Sequence, residues 1–215
     1  MAQVPTGTTF YIASAFGASK NTTIVTNASE AVVTSTAHGY SNGDILEVTS
    51  GWGRLNLRAF RIKSVTTDTF VLEGCDTTNT TFYPAGTGVG SVRKASTFQQ
   101  ITQVLGVSTS GGDPKNVSYK YIESDVEFSI NDGFTATSMS LDLDADSNTT
   151  AGYTALKSLT EVQTNTILKT LKRSGAMSYQ PCTVALNEAE TYQDGQVNKV
   201  KCAFNGNNRL TRYAS

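Results

Sequence analysis

One histidine, one tryptophan, three cysteines and four prolines are all that this 215-residue chain has of those types. His38 has no second histidine with which to hold a metal, and no acid or nucleophile beside it at motif spacing. That removes the usual zinc and acid–base constellations. Cys75, Cys182 and Cys202 are too few and too far apart for a disulfide framework or a metal knuckle, and are expected as free thiols inside the fold. Charge is scarce too: 16% of residues carry it, 17 basic against 18 acidic, for a net of −1. Such a balance offers no basic patch for reading a nucleic acid. No apolar run approaches the length of a membrane span. The opening MAQVPTGTTFYIASAFG also lacks the basic start and apolar stretch of a secretory signal. Gly86–Val92, GTGVGSV, has three glycines but no strand–helix context and no Gly-Lys-Ser/Thr ending, so no nucleotide or other cofactor is expected.

What the chain does have is Thr, Ser, Asn and Gly, the residues of half-exposed strands and turns. TTFYIA (8–13) reads as a first strand. From Ile24 to about Val92 a series of short apolar or alternating segments follows: IVTN, AVVTS, DILEVTS, AFRIKSV and TFVLEG, separated by turn signals. GVGSVRK closes the series. Residues 22–92 are expected to form a small antiparallel β-barrel inserted into a β domain made of 1–21 and 93–215.

STFQQITQVLGVSTSGGDPKN then reads as a strand running into a flexible loop, Leu105 to Val117, that reaches beyond the domain. VSYKYIESDVEFSIN alternates over a long span. A period of two puts Tyr119, Tyr121, Glu123, Asp125 and Glu127 on one face and Ile122, Val126 and Phe128 on the other, the natural core side. Asn131-Asp132-Gly133 is read as the turn and FTATSMSLDLDAD as the returning strand. One helix is expected in SNTTAGYTALKSLTEVQT, with Ser, Asn or Thr as cap and Tyr153, Leu156, Leu159 and Val162 as its apolar stripe. TILKTL, AMSYQPCTVALNEAETY and QVNKVKCAFNGNNRLTRY complete a β-rich chain with a single helix packed on a sheet.

Weighed for function, the motifs are modest. His38, Gly39, Gly43 and Asp44 suit a corner between strands, with the imidazole bonded to a turn and the glycines at positive φ. Asp142, Asp144 and Asp146 lack the glycine and the final glutamate of a calcium loop. Asp142 and Asp144 are expected to share one strand face, and with Glu123, Asp125 and Glu127 they make the densest acidic region of the chain. Such a stripe belongs on solvent or in a wet channel. Trp52, between Gly51 and Gly53, is read as a plug for the end of a small barrel in preference to a sugar platform.

The stretch VVTSTAHGYSNGDILEVTSGWGRLNLRAFRIKSVTTDTFVLEG resembles a small β-barrel module of ubiquitin-activating enzymes that recurs in phage tail proteins. His38, Gly39, Tyr40, Ser41, Gly43, Asp44, Thr69, Phe70 and Leu72 carry the likeness. GTTFYIA, ASTFQQITQVLGVSTSGGDPKNVSYKYIESD, the helix and VKCAFNGNNRLTRY resemble the major tail tube protein of long-tailed, lambda-like bacteriophages. This resemblance implies a non-enzymatic virion protein, made in the host cytoplasm, whose hexameric rings stack into a tube that conducts DNA without sequence-specific binding. It implies tail terminator, tape measure and distal tail proteins as partners, and no membrane. It points to Glu123, Asp125, Glu127, Asp142 and Asp144 as lumen-lining residues. Ser108, Gly111, Gly112, Asp113 and Lys115 become contacts between rings. The alternatives are another tail component, such as a terminator, or a carbohydrate-binding or adhesive β module.

Overall fold

The computed structural model describes residues 6–214. Met1–Pro5, the start of the expected β domain and of the segment inspected for a signal, lie outside the described residues, as does Ser215. Among the described residues the chain forms sixteen strands and one α-helix. The first half comprises β1 (Thr9–Phe16), β2 (Lys20–Thr22), β3 (Ile24–Val25), β4 (Val32–Thr34), β5 (Ile45–Ser50), β6 (Arg58–Lys63), β7 (Thr69–Leu72) and β8 (Gly90–Ile101). Then come β9 (Val104–Ser110), β10 (Pro114–Tyr119), β11 (Phe128–Phe134) and β12 (Ser138–Asp144). A 3₁₀ turn, Ala145–Thr149, leads into α1 (Ala151–Val162). The chain closes with β13 (Thr166–Leu171), β14 (Met177–Thr191), β15 (Lys199–Gly206) and β16 (Thr211–Tyr213). The expected class, mainly β with one packed helix, is what is found.

Hydrogen-bonded neighbours run in the order β3-β4-β7-β6-β5-β8-β1-β13-β14-β15-β12-β9, with β2 on β8 and β16 on β14. β10 and β11 pair only with each other. Three buried clusters lie along this path. One gathers Phe10, Ile12, Leu141, Leu143, Val184 and Phe204 of the sheet under Tyr153, Leu156 and Leu159 of the helix. A second, inside residues 25–92, gathers Val33, Leu46, Trp52, Phe60, Phe70 and Leu72. A third joins them through Ala13, Ile45, Ala59, Ala95, Ile167, Tyr179 and Tyr213.

The helix shows how local chemistry sets the packing. Thr150 caps it, its hydroxyl accepting from the Tyr153 N–H at 3.2 Å, which satisfies one otherwise orphaned donor. Gln163 ends it in the left-handed conformation, φ 51°, its N–H bonded to Leu159 O. Gly152 lies against the backbone of Gln100, where a Cβ would collide with the carbonyl, so the helix can sit close on β8. The stripe stops one turn earlier than expected: Val162 is exposed.

Strand β8 corrects another expectation. GVGSVRK and STFQQI were read as separate segments, yet they form one twelve-residue strand. Its first half pairs with β5, Leu46 opposite Lys94 and Ser50 opposite Gly90. Its second half pairs with β1, Phe10 opposite Ile101. The boundary expected at 92/93 therefore falls inside a continuous strand.

The three cysteines are buried free thiols. Burial pushes the Cys75 thiol up to about 11, that of Cys182 to about 12, and that of Cys202 up as well. Thiolate is the reactive form, so folded protein at pH 8 is expected to resist iodoacetamide on the timescale that labels all three sites in denaturant. Native labelling at the unfolded rate, read by mass spectrometry, would show that these sites open freely.

Candidate functional site: a hairpin arm and an uncovered sheet face

The residues singled out for contact between rings sit in an extended hairpin. β9 and β12 form its base, Ser110 opposite Ser138 and Val107 opposite Leu141. β10 and β11 form its outer part, Val117 opposite Ile130 and Tyr119 opposite Phe128. Between the two ladders the backbone turns through Gly111 (φ 78°) and Gly112 (φ 81°), with Gly133 (φ 110°) on the other strand. Only glycine holds such angles without strain. Gly112 N–H donates to Thr135 O at 3.2 Å and Thr135 N–H to Asp113 O at 2.9 Å, and Gly206 N–H ties the base down at Thr137 O, 2.8 Å.

This corrects the sequence expectations at four points. Ser108 lies in β9 and Lys115 in β10, so only Gly111–Asp113 interrupt strand where a mobile loop was expected. The turn is not at Asn131-Asp132-Gly133, which lie within β11. There the Asn131 side chain accepts from the Gly133 N–H at 2.8 Å, a local bond that satisfies the turn chemistry without turning the chain. The reversal falls at residues 120–127 instead. Glu123, Asp125 and Glu127 consequently lie in the hairpin tip and form no strand face, and Ile122 and Val126 are exposed, not core. Ser124-Asp125, two good turn formers inside the alternation, was the available signal.

The arm is apolar for something so exposed. Val117, Tyr119, Tyr121, Val126, Phe128, Ile130 and Phe134 are all solvent-exposed, and Ile122 is completely so. Tyr119, Tyr121 and Phe128 cluster at the tip, ring centroids 5.5–6.0 Å apart. Monomeric proteins rarely leave a contiguous surface of this kind uncovered. Strand β9, VLGVSTS, is the last in the sheet order and exposes Leu105 and Val107. It carries no lysine, proline or other charge of the sort that blunts an edge against pairing.

Asp142 and Asp144 do share a face, opposite the buried Leu141 and Leu143. The helix-free side of this part of the sheet presents Ser140 and Asp142 of β12, Lys201 and Ala203 of β15, and Ala185 and Asn187 of β14. The face is not an acidic stripe. Asp142 pairs with Lys199 at 3.8 Å and lies opposite Lys201, while Asp144 spends one oxygen on the Asp146 N–H. The tip acids and this pair lie at opposite ends of the hairpin, with the β9–β12 and β10–β11 ladders between them.

Elsewhere the chemistry is structural. His38 is buried, its Nδ1 accepting from the Tyr40 N–H at 3.0 Å. Gly39 and Gly43 hold φ 70° and 89°, and Asp44 pairs with Lys94 at 2.7 Å. Trp52 is buried, donating from Nε1 to Pro84 O at 2.8 Å and Thr87 Oγ1 at 3.0 Å, so it offers no sugar platform. An open groove of about 530 Å³ beside α1 contains one charged side chain, Arg93, which is already engaged by Glu47. Among the described residues no group of acids, histidines or cysteines is arranged to hold a metal.

The family model for phage tail tube proteins matches residues 50–215. The chain belongs to the phage tail tube protein family. The tail tube family is structural, and the protein is a component of a phage-type tail, not an enzyme. The match begins at the last residue of β5 and so takes in part of the 22–92 segment. A solved chain from the "Virion of native gene transfer agent (GTA) particle" aligns with 54% of this tail tube protein and 89% of its own length, at 13% identity and a TM-score of 0.40. No curated protein matches.

Proposed function

We propose that this tail tube protein is the repeating unit of the tube of a long-tailed, lambda-like phage. Copies close into rings, six to a ring, and the rings stack around a lumen that conducts DNA into the host. The arm carries this reading. Its exposed valine, isoleucine, tyrosine and phenylalanine side chains need a partner's surface, and a stacked copy supplies one for every arm. The unguarded edge of β9 suits closure with a neighbour in the same ring, since a ring pairs every edge. Tail terminator, tape measure and distal tail proteins would meet the tube at its ends and within it, and assembly would take place in the host cytoplasm.

The uncovered face of β12, β15 and β14 is the proposed lumen wall. Small polar side chains and balanced charges there would leave little net attraction for phosphate, so DNA slides without sticking. On this reading Asp142 and Asp144 line the path, whereas Glu123, Asp125 and Glu127 belong to the contact between rings. Residues 22–92, with their likeness to the module of ubiquitin-activating enzymes, would decorate the outside.

Negative-stain microscopy of concentrated protein tests the assembly. Tubes with a central hole are expected. Single rings that never stack would favour a terminator, and a protein that stays monomeric at every concentration would remove the proposal.

A further inference from the structure

The seam between residues 22–92 and the rest of the sheet is closed by β16 and the residues just before it. β16 pairs on one side with β14, Met177 opposite Tyr213 and Tyr179 opposite Thr211. Its side chains reach the other way. Tyr213 Oη accepts from the Arg61 N–H at 2.8 Å and donates to Glu73 O at 3.2 Å. The Arg61 guanidinium lies over the Tyr213 ring, 4.5 Å from its centroid, and is held there by Glu73 at 2.5 Å. Arg58 Nη2 donates to Thr211 Oγ1 at 3.3 Å. Just upstream, Asn208 Nδ2 donates to Gly53 O at 3.2 Å and Asn56 O at 2.7 Å.

We infer that residues 207–213 are a strap that fixes the angle of the 22–92 segment against the tube sheet, and that its release lets that segment pivot about β8. Three observations support this. Neither the cluster under the helix nor the cluster within 25–92 contains any residue beyond Phe204, so both can persist without the strap. The only strand in the strap, β16, is three residues long and pairs with β14 alone, so it can detach at low cost, as short, weakly held elements do. The other ties across the seam include the pairing of β5 with the first half of β8, the Glu47–Arg93 and Asp44–Lys94 ion pairs, and the packing of Ile45 and Ala59 with Ala13, Ala95, Ile167 and Tyr179. The strap supplies Tyr213, which packs beside the buried Tyr179 of β14, and most of the side-chain hydrogen bonds. A tail built from such units could hold its outer segments in one orientation or let them swing, according to whether the strap is seated.

The test uses full-length protein with spin labels on cysteines placed at the exposed Thr81 and Glu161; the native thiols are buried. Wild type is expected to give one narrow distance distribution. Tyr213→Ala and a chain ending at Arg209 should broaden it while circular dichroism and a cooperative melt are retained. Tyr213→Phe keeps the ring but loses the bridging hydroxyl, and its Arg61 amide should exchange about tenfold faster. An unchanged narrow distribution in the folded truncated chain would overturn the inference. So would global unfolding of Tyr213→Phe and Tyr213→Ala alike, which would make the segment part of the core.

Discussion

Replacing Ile122, Val126 and Ile130 together with aspartate is expected to abolish tube formation and leave the monomer as stable as before. All three side chains are exposed in the free chain and none belongs to a buried cluster. Surface changes of this kind shift stability by no more than about 0.5 kcal/mol. In a stack each would be buried at a gain of about 1.5–3 kcal/mol. Losing three such contributions raises the concentration needed for assembly by at least about a thousandfold. Sedimentation velocity and microscopy follow assembly, and a thermal melt follows the fold. Tubes at the wild-type concentration would mean that the arm does not make the contact.

The second large effect concerns Trp52, and its sign is reversed: the fold suffers. Its indole is 2% exposed, stands edge-on to Tyr83 with centroids 5.2 Å apart, and fills the space over Gly88, where a Cβ would lie 2.7 Å from the ring. Trp52→Ala removes this packing and the indole's hydrogen bonds to Pro84 O and Thr87 Oγ1. A cost of about 3–5 kcal/mol is expected, read from the denaturant midpoint of the arm-substituted monomer so that assembly does not interfere. A change below about 0.5 kcal/mol, the figure for a surface aromatic, would contradict the plug. Arm and plug are thus separable, one variant assembling poorly from a sound monomer and the other weakening the monomer itself.

The short strands of residues 24–72 were legible in the sequence because each is an apolar run between clear turn residues. TILKTL was legible for the same reason, and the helix by its capping residue and its apolar stripe at helical spacing. The arm was not, and the cause is specific. Alternation normally reports a strand with one buried face, yet Val117, Tyr119, Phe128 and Ile130 alternate on a hairpin with neither face buried. Its periodicity therefore anticipates a partner absent from the single chain. Asn131-Asp132-Gly133 misled because an aspartate or asparagine can satisfy a neighbouring N–H without reversing the chain. Asp142 and Asp144 were placed correctly on one face, but the lysines that lie opposite them, Lys201 and Lys199, and the Asp142–Lys199 pair are more than fifty residues away in sequence. No local pattern reveals a cross-strand partner of that kind. The strap was equally hidden: LTRY looks like any short strand until the surfaces on both sides of it are known.

The outer ladder of the arm also governs how its reach can change. Each residue advances a strand by about 3.4 Å, and the side-chain direction repeats only after two. Lengthening β10 and β11 by two residues each would carry the tip outward by about 7 Å and keep Val117 and Ile130 on their present side. A single residue added to each would turn them to the opposite one. Spacing between successive units of an assembly gripped by this arm can therefore drift only in whole steps of that size, and homologues with longer arms should differ from this chain by even numbers of residues per strand.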